Sequence, residues 1–391
     1  MQYDITIIGG GMVGASVALA LADTSLRIAL IDAMPLQTKD DARLIALNYS
    51  SYCLFQNLNV WTELSANAEP IHEVHVSDRG HFGKTRIKKE DLALPMLGFV
   101  VPAKYINTAL SNALSKRSNI KIFRPAILKN LTQDDTQVTL TIESNAEEFT
   151  LTTKQVIGAD GSHSTVRQLL DISTETIDYQ QSAIVTVTEL QRAHQQIAYE
   201  RFHQSGAIAM LPLTGYRCAT IWTDDNKNIH ELMALNDEQF LQTLQKQFGY
   251  RLGRFIKTAT RHTYPLQMLK STQTLKGRIL LLGNAAHTLH PIAAQGLNLA
   301  LAEIAMLAQS ISEDAGWEKY LTWQAQKQSI SMNLSHQLPR LFSQDFFLVT
   351  FLRQAGMVGL DICKPLKRYF TKKAIGRVGV LPKLLVERRL G

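Results

Sequence analysis

The length and composition of the chain are those of a globular protein. It has 391 residues, of which 45% are hydrophobic and 19% are charged. These values exclude a disordered or fibrous chain and allow two domains or one large domain with insertions. The net charge is +7, but residues 364–391 hold nine Lys and Arg against one acid, so the preceding 363 residues are nearly neutral. No recognition motif accompanies this basic segment, and we therefore expect no nucleic-acid partner.

The cysteines and the hydropathy predict the compartment of the protein and whether it spans a membrane. Cys53, Cys218 and Cys363 are far apart and form no Cys-x-x-Cys pair, which predicts reduced thiols rather than a disulfide framework or a metal site. We expect no signal peptide before the first strand, and no run of 18 apolar residues predicts a transmembrane helix. The chain is thus predicted to be cytoplasmic and to need no metal.

The start of the chain carries a dinucleotide-binding pattern. Residues 3–8 predict an apolar strand, which runs into G-x-G-x-x-G at Gly9, Gly11 and Gly14 and then into an Ala-rich helix over 12–22. The first glycine of this motif permits a tight turn, the second lets the backbone approach a pyrophosphate, and the third lets the helix pack closely on the strand. The pattern predicts an adenine dinucleotide and does not separate FAD from NAD.

An acid ends the next predicted strand, over residues 27–31. This residue, Asp32, lies 18 residues after Gly14, near the distance at which a carboxylate binds an adenosine ribose. Arg43 follows, and the sequence leaves open whether it pairs with a phosphate or caps a helix. Asp32 strengthens the prediction of a dinucleotide site.

The middle of the chain predicts further strands and one helix. Residues 71–87 alternate around an Asp-Arg-Gly turn, which predicts paired strands. Pro102 is a good first residue for a helix over 103–114. Four more strands are predicted at 120–123, 126–131, 137–142 and 148–151.

A second loop motif, Gly-Ala-Asp-Gly, follows an apolar strand that ends at Gly158. It places Asp160 at a turn and precedes a helix that begins near Ser164. A buried acid at such a turn needs partners, either backbone N–H groups or a cofactor hydroxyl. Ser162, Ser164 and Arg167 are the purely structural alternatives.

A third loop motif occupies residues 283–298. The apolar strand 278–282 leads into it, and a helix free of Gly and Pro is predicted over 297–310. A helix that begins near Gly296 would direct free backbone N–H groups and the positive end of its dipole at an anionic or electron-rich ring. An ordinary connection between strand and helix is the alternative.

The C-terminal region joins an apolar segment, 346–352, to the basic residues from Lys364 onward. This combination is typical of a segment that binds an anionic membrane surface. A C-terminal helix that packs on the body and exposes a basic face is the alternative, and the sequence leaves both open.

The three loop motifs, in this order and at these separations, resemble those of the group A flavin-dependent aromatic hydroxylases. Supporting segments begin at Ser77, Tyr199 and Tyr264, and with them the chain is most similar to the ubiquinone-biosynthesis hydroxylases. Most relatives have Gly-Asp where this chain has Gly-Asn at Asn284. The Asn form is similar to the branch called 2-polyprenyl-6-methoxyphenol hydroxylase.

The resemblance implies an α/β protein with a p-hydroxybenzoate hydroxylase-like fold: a Rossmann-like FAD-binding domain, a mixed-sheet substrate domain and C-terminal helices. The implied FAD-binding domain is discontinuous, at 1–70, 98–171 and 272–340, the substrate-domain sheet takes 71–97 and 172–271, and the basic helical segment is 341–391. This last segment would face the membrane or pack on the body.

The resemblance also assigns roles to residues. The implied cofactor-binding residues are Gly9, Gly11 and Gly14 at the pyrophosphate, Asp32 at the adenosine ribose, Arg43, Asp160, Gly161 and Asn284 at the phosphate and ribityl chain, and Pro291, Gly296, Leu297 and Asn298 at the flavin ring. The candidates for the substrate wall are Tyr199, Arg201, His203 and Leu211. The catalytic base is not identified, and the catalytic candidates are His203, His287, His290 and Pro291.

The implied activity is hydroxylation of the aromatic ring of a polyprenylated phenol in ubiquinone biosynthesis, with FAD, O2 and a flavin hydroperoxide. Because the chain has one dinucleotide fingerprint, NAD(P)H would bind transiently as the electron donor. The implied partners are the lipid substrate, the cytoplasmic face of the inner membrane and other ubiquinone-biosynthesis proteins. Two alternatives stay open: a flavin-dependent reductase or dehydrogenase of an isoprenoid lipid, and a non-catalytic flavoprotein subunit of a membrane-surface assembly.

Overall fold

The computed structural model describes residues 1–35, 41–81, 83–289, 295–343, 354, 356–359, 361–375, 377 and 379–386. For residues 333–343, 364, 373 and 374 it describes the backbone alone. The candidates His290 and Pro291 and the apolar segment 346–352 lie outside the described residues.

The chain combines runs of consecutive strands with single and consecutive helices. The strands are β1 (Gln2–Ile8), β2 (Ile28–Ile31), β3 (Leu44–Asn48), β4 (Glu69–Ile71), β5 (Glu73–Asp78), β6 (Lys84–Lys88), β7 (Gly98–Pro102), β8 (Ile120–Phe123), β9 (Ile127–Gln133), β10 (Val138–Ser144), β11 (Glu147–Gly158), β12 (Thr174–Leu190), β13 (Ile197–His203), β14 (Gly206–Leu213), β15 (Arg217–Asp225), β16 (Phe255–Thr258), β17 (His262–Ser271), β18 (Leu275–Lys276), β19 (Ile279–Leu281) and β20 (His287–Thr288). The helices are α1 (Met12–Ala20), α2 (Tyr49–Asn57), α3 (Trp61–Leu64), α4 (Ala103–Leu114), α5 (Thr165–Leu169), α6 (Asn226–Ala234), α7 (Asp237–Phe248), α8 (Gln295–Ser312), α9 (Gly316–Ser343) and α10 (Lys364–Ala374). Short 3-10 turns lie at Ser65–Asn67, Lys89–Leu92, Gly283–Ala285 and Lys383–Leu385.

The first sheet has a parallel core in the order β8-β2-β1-β11-β19. Its register aligns the last residues of four strands, because Ile8 pairs with both Ile31 and Gly158, and Gly158 pairs with Leu281. The carboxyl ends of these strands therefore meet at one edge, the edge at which doubly wound α/β sheets bind nucleotides. All three loop motifs begin at this edge.

β11 is longer than the sequence predicts. Its first half pairs antiparallel with β10 in a meander, and its second half pairs parallel with β1. The prediction of one strand at 148–151 and a separate one ending at Gly158 was wrong, because the polar residues between them pair in both ladders and the strand continues. The meander thus attaches directly to the nucleotide-binding sheet.

Helices and the meander cover opposite faces of the first sheet. On one face, Ile7 and Leu30 pack in a cluster with Ile106 of α4 and Leu301 and Ile304 of α8. On the other face, residues of β2 and β11 pack with the meander and α5. Burial on both faces explains why the parallel strands are continuous apolar runs.

The second sheet has the order β20-β17-β12-β15-β14-β13-β5-β6, with β16 paired to β12. Its outer face packs under α6 and α7, where Trp222 lies beside Phe240 in one buried cluster. Its inner face packs on a three-stranded antiparallel sheet, β3-β7-β4, where Val100 joins Ala198 and Ala219 in another cluster. This small sheet connects the second sheet to the nucleotide-binding layer.

The C-terminal region packs back on the body. Ser50 of α2 donates a hydrogen bond to the carbonyl of Ile375 at 3.2 Å, and Asn57 donates one to the carbonyl of Leu384 at 2.8 Å. Lys367 of α10 lies 3.3 Å from the carboxylate of Asp91. Across the part of the chain that the structure describes, no helix is long and apolar enough to span a bilayer.

Candidate functional site

The glycine loop after β1 has the geometry that its motif requires. Gly9 has φ +102°, in the region that favours glycine. A Cβ on Gly14 would clash with the carbonyl oxygen of Gly9, so helix α1 can approach the strand only with glycine there. A Cβ on Gly11 would meet nothing within 4 Å, so this glycine borders open space.

Asp32, at the end of β2, forms an ion pair with Arg124. The two side chains lie 2.6 Å apart, and Arg124 also donates a hydrogen bond to the carbonyl of Gly10 at 3.2 Å. Arg124 follows β8, the neighbour of β2 in the sheet. The ion pair fixes the carboxylate at the mouth of the glycine loop, where the motif expects the ribose.

Arg43 forms a bidentate ion pair with Asp41, with bonds of 2.8 Å and 2.7 Å. It precedes strand β3, so it does not cap a helix. The hydrogen bond that Arg43 donates to the carboxylate of Asp41 raises the pKa of Arg43, and the electrostatic interaction with Tyr264 also raises it. Tyr264 belongs to β17, so Arg43 lies between the nucleotide-binding layer and the second sheet.

The Gly-Ala-Asp-Gly loop contains an incompletely bonded acid. One carboxylate oxygen of Asp160, Oδ2, accepts a hydrogen bond from the backbone N–H of Val166 at 3.1 Å. The other, Oδ1, is buried and has no hydrogen-bond partner among the described residues. A buried carboxylate oxygen needs a donor, and a cofactor hydroxyl is of the right kind.

Arg167 joins this loop to the third motif. Its guanidinium is buried and donates to the carbonyl of Ser162 at 2.6 Å and to the carbonyl of Ala285 at 2.8 Å. Its backbone N–H is bonded to Ser164 at the start of α5. The arginine therefore holds the two loops at a fixed separation.

The third motif begins between the two sheets. β19 belongs to the first sheet, whereas β20 pairs with β17 of the second, through Leu269 and Thr288. In the turn between them the side chain of Asn284 is exposed and makes no hydrogen bond to the described residues. This amide is available to a ligand at the same edge as Asp160.

The first turn of α8 completes the site. Asn298 accepts hydrogen bonds from the backbone of Asn48 at 2.9 Å and from Ser51 at 2.7 Å, and donates to the carbonyl of Ala46 at 2.8 Å. The backbone N–H groups of a first turn have no carbonyl of a preceding turn to bond. A Cβ on Gly296 would meet nothing within 4 Å, so this turn also borders open space.

The residues at this sheet edge have the shape and the hydrogen-bonding groups to hold FAD. Gly11 and Gly296 leave space that a side chain would fill, and the orphaned oxygen of Asp160 lies at the same sheet edge. An acid at the end of β2, a glycine loop and a helix N-terminus thus converge where a dinucleotide with a flavin ring would lie.

His287 does not reach this space. It is buried and bonded to the buried carboxylate of Glu303 at 2.8 Å, and Gln324 bonds the same carboxylate at 3.3 Å. Burial opposes a charge on His287, but the charge and hydrogen bond of Glu303 together outweigh burial and raise the pKa of the imidazole. The candidate base is therefore half of an internal ion pair behind the loop.

The structure divides the predicted substrate wall between the two faces of its sheet. Arg201 donates a hydrogen bond to the carbonyl of Gln247 at 3.1 Å, and the ring of Tyr199 lies 5.7 Å from that of Phe248, so both side chains face α7. His203 is the next alternate residue of β13 and is buried on that side. The sequence could not show which face of the strand is covered by helices.

Leu211 alone of these four lies on the inner face, in the cluster that includes Leu44.

Sequence reasoning missed Arg124 and Glu200. Arg124 directly follows β8, and Asp32 directly follows β2, the strand with which β8 pairs. The sequence indicates that these two residues are close only once the order of the strands is known. Glu200 lies between Tyr199 and Arg201 and points to the opposite face, since successive side chains alternate.

Comparisons with known proteins agree with this architecture. Residues 2–334 match the family model described as an FAD binding domain. The chain is 30% identical to the ubiquinone hydroxylase UbiL of Rhodospirillum rubrum, over 97% of this chain and 91% of the relative. It is 27% identical to the 3-demethoxyubiquinol 3-hydroxylase of Escherichia coli, over 95% and 98%. The crystal structure of p-nitrophenol 4-monooxygenase from Pseudomonas putida matches with a TM-score of 0.77 at 15% identity, over 97% of this chain and 100% of the other.

Proposed function

This chain belongs to the FAD-binding-domain family, in the ubiquinone-biosynthesis branch of the group A flavin-dependent aromatic hydroxylases, and on that premise we propose that it hydroxylates the ring of a polyprenylated phenol. It is an FAD-dependent monooxygenase of a class that uses O2 and NAD(P)H. The names of two relatives that align over nearly their whole length support the substrate class.

The observation that carries the proposal is the meeting of three loop motifs at one sheet edge under the inner face of a second sheet. We assign the pyrophosphate to the loop of Gly11, the ribose to Asp32, and the ribityl chain to Asp160 and Asn284. The first turn of α8, at Gly296, faces the flavin ring in this assignment. A flavin held there lies beneath an apolar roof that excludes water, as oxygen transfer requires.

FAD supplies the redox chemistry, taking electrons from a nicotinamide donor and activating O2. The protein positions the phenol and excludes solvent. The donor has no separate domain, so it approaches the face near Arg43, whose ion pair with Asp41 is half exposed. Arg43 can exchange this carboxylate for a phosphate, because both accept its planar fork of N–H groups.

The isoprenoid tail of the proposed substrate is apolar, so the enzyme has to meet the substrate at a membrane. Helix α10 has an exposed apolar surface suited to bind one. Leu366, Tyr369 and Phe370 lie on one side of this helix and are 44%, 54% and 45% exposed. Lys367 and Thr371, on the opposite side, are buried against the body. Exposed large apolar side chains on one helix stripe are typical of insertion into a bilayer interface.

Exposed basic residues flank that stripe. Arg368 and Lys372 are exposed, and each basic residue near an anionic surface contributes about 1 kcal/mol of attraction. We therefore propose peripheral binding to the cytoplasmic face of the inner membrane, where the lipid substrate is met. Other ubiquinone-biosynthesis proteins are further proposed partners on that surface.

Anaerobic reduction followed by O2 tests the proposed activity. The purified protein, loaded with FAD, is reduced with NADPH or NADH under nitrogen and then mixed with O2 and a 2-prenylphenol. The expected product is heavier by one oxygen atom, and 18O2 supplies the label. Reduction of an isoprenoid lipid without oxygen uptake would identify a reductase instead. Bound FAD that no donor reduces would identify a non-catalytic subunit.

A further inference from the structure

A strip of half-buried residues crosses the middle of the second sheet's inner face. Ladder pairs run from Glu200 to Ala209, from Ala209 to Ile221, and from Ile221 to Val185. Paired residues project from the same face, so these four side chains form one row. Three of them are apolar, and the fourth is a carboxylate.

Packed clusters cover the inner face on either side of the row. Ala198, two residues before Glu200, is buried against Val100 of the three-stranded sheet. Phe202, two residues after it, is buried with Ala207 and Met357. Ala198 and Phe202 are four residues apart, about 13 Å along an extended strand, and Glu200 lies midway between them.

This row faces the cofactor edge. Leu44, which follows Arg43 in the chain, packs in the same cluster as Ile221 and Leu211. β3, which begins at Leu44, is in turn bonded to Asn298 at the start of α8. The row is thus opposite the residues that we assign to FAD.

Glu200 has no side-chain hydrogen bond within the described residues, unlike its neighbour on the same face, Asp78. The carboxylate of Asp78 lies 3.1 Å from His81 and accepts a hydrogen bond from Gln354 at 2.9 Å. Burial alone raises the pKa of Glu200 to about 7. This half-buried carboxyl group has apolar neighbours in its row and no protein partner among the described residues, so it is available to a polar group of a ligand.

We propose that Glu200 binds the phenolic hydroxyl of the substrate and accepts its proton. This proposal rests on the proposed function and names a base that the sequence analysis left unidentified. The phenol donates a hydrogen bond to a carboxylate oxygen, and an O–H···O⁻ bond is among the strong ones. In the transfer the phenol O–H bond breaks, an O–H bond forms on Glu200, and the electron pair stays on the phenolate oxygen. The ring then becomes more electron-rich and more readily attacked by an electrophilic oxygen.

A carboxyl pKa near neutrality suits this role, because general bases act best when their pKa lies near the working pH. Val185, Ala209 and Ile221 contact the ring without competing for the proton. The other glutamates of this sheet lack this setting: Glu175 of β12, for example, is exposed.

The test compares a phenol with its methyl ether on the FAD-loaded protein. Binding of 2-prenylphenol and of 2-prenylanisole is followed by the change in flavin absorbance, which does not depend on turnover. The wild-type protein and Glu175→Gln should bind the phenol about tenfold or more tightly than the ether, the range expected for a hydrogen bond to a charged group. Glu200→Leu should lose this preference and bind the two compounds equally.

Glu200→Gln separates binding from proton transfer. It keeps an acceptor of the same shape, so phenol affinity should fall less than in Glu200→Leu, while kcat falls by about a hundredfold, within the range for loss of a general base. An undiminished preference for the phenol in Glu200→Leu would overturn the proposal while leaving hydroxylation by the wild type intact. A wild-type protein that neither binds nor oxygenates the phenol would overturn the proposed function together with it.

Discussion

Arg167 donates a 2.8 Å hydrogen bond to the carbonyl of Ala285, and this one contact ties the second loop motif to the third. The guanidinium is buried, so it supplies the hydrogen bonds that water cannot supply to the carbonyl groups of the two loops. The separation of Asp160 from Asn284 therefore depends on a residue that touches neither.

Replacing Arg167 should loosen both loops. Arg167→Leu leaves the carbonyls of Ser162 and Ala285 without their donor, at about 1–3 kcal/mol for each buried unsatisfied group. The Tm should fall and FAD affinity should fall with it. Arg192→Leu, at an exposed arginine outside the two loops, is the control and should change neither. Equal FAD affinity in Arg167→Leu and the wild type would show that cofactor binding does not depend on the geometry of the two loops.

Two glycines of the first motif should respond differently to substitution. Gly11→Val adds a side chain to open space, so the apoprotein should keep its Tm while FAD binding is lost. Gly14→Val drives a side chain into the Gly9 carbonyl, so the apoprotein itself should be destabilised. Differential scanning fluorimetry of the apoproteins and flavin content measure the two effects. Full FAD occupancy in Gly11→Val would contradict the assignment of this loop.

Asn284 should contribute one hydrogen bond to FAD. Its exposed side chain makes no other bond among the described residues, so Asn284→Ala should weaken FAD by about 1 kcal/mol without lowering the Tm of the apoprotein. Asn284→Asp should retain or tighten binding, since it restores the commoner residue of the family. Titration calorimetry with FAD gives both values, and unchanged affinity in the alanine variant would make the position structural.

The pH dependence of stability should report on Glu200. Its pKa is raised by burial from 4.5 to about 7, so the folded state favours the protonated form and loses stability as the pH rises through that interval. Glu200→Gln has no such loss. The variant should therefore have a higher Tm than the wild type at pH 8 and the same Tm near pH 4. An identical Tm difference at both pH values would show that the carboxyl group is not buried as the structure has it.

Membrane binding should depend on the exposed stripe of α10. Phe370→Glu places a charge where an apolar side chain would insert, so flotation with anionic liposomes should be reduced, and high salt should reduce it further because screening acts over about 8 Å at physiological ionic strength. Tyr250→Glu, at a similarly exposed aromatic residue far along the chain, is the control. Absence of flotation for the wild type with anionic and neutral lipid alike would end the membrane proposal.

Point substitutions in α10 test membrane binding more cleanly than truncation of the chain near Ser343, although all three loop motifs precede that residue. The structure shows that Ile375 and Leu384 bond to α2, so truncation would uncover the body of the protein. Contacts between residues more than 300 positions apart leave no local signal in a sequence.

The nucleotide-binding half was the more predictable part. The helix over 103–114 and the strand over 120–123 are confirmed at both ends, because a clear apolar period and a proline mark their bounds. The fold and the family are confirmed as well. The domain bounds and the roles of the cofactor residues stay predictions. The substrate-wall residues also stay candidates, because alternation in β13 defines two faces without saying which one α7 covers.

The order of the strands in the first sheet has a consequence for biosynthesis of the protein. β19 pairs with β11, yet the whole second sheet is translated between them except for β5, β6 and β20. The last strand of the parallel core therefore emerges from the ribosome after some 120 residues of other structure, and the covering segment at Ile375 emerges later still. We therefore expect FAD loading to be a late step. Until β19 pairs, the parallel strands depend on non-local closure, which is slow and open to aggregation.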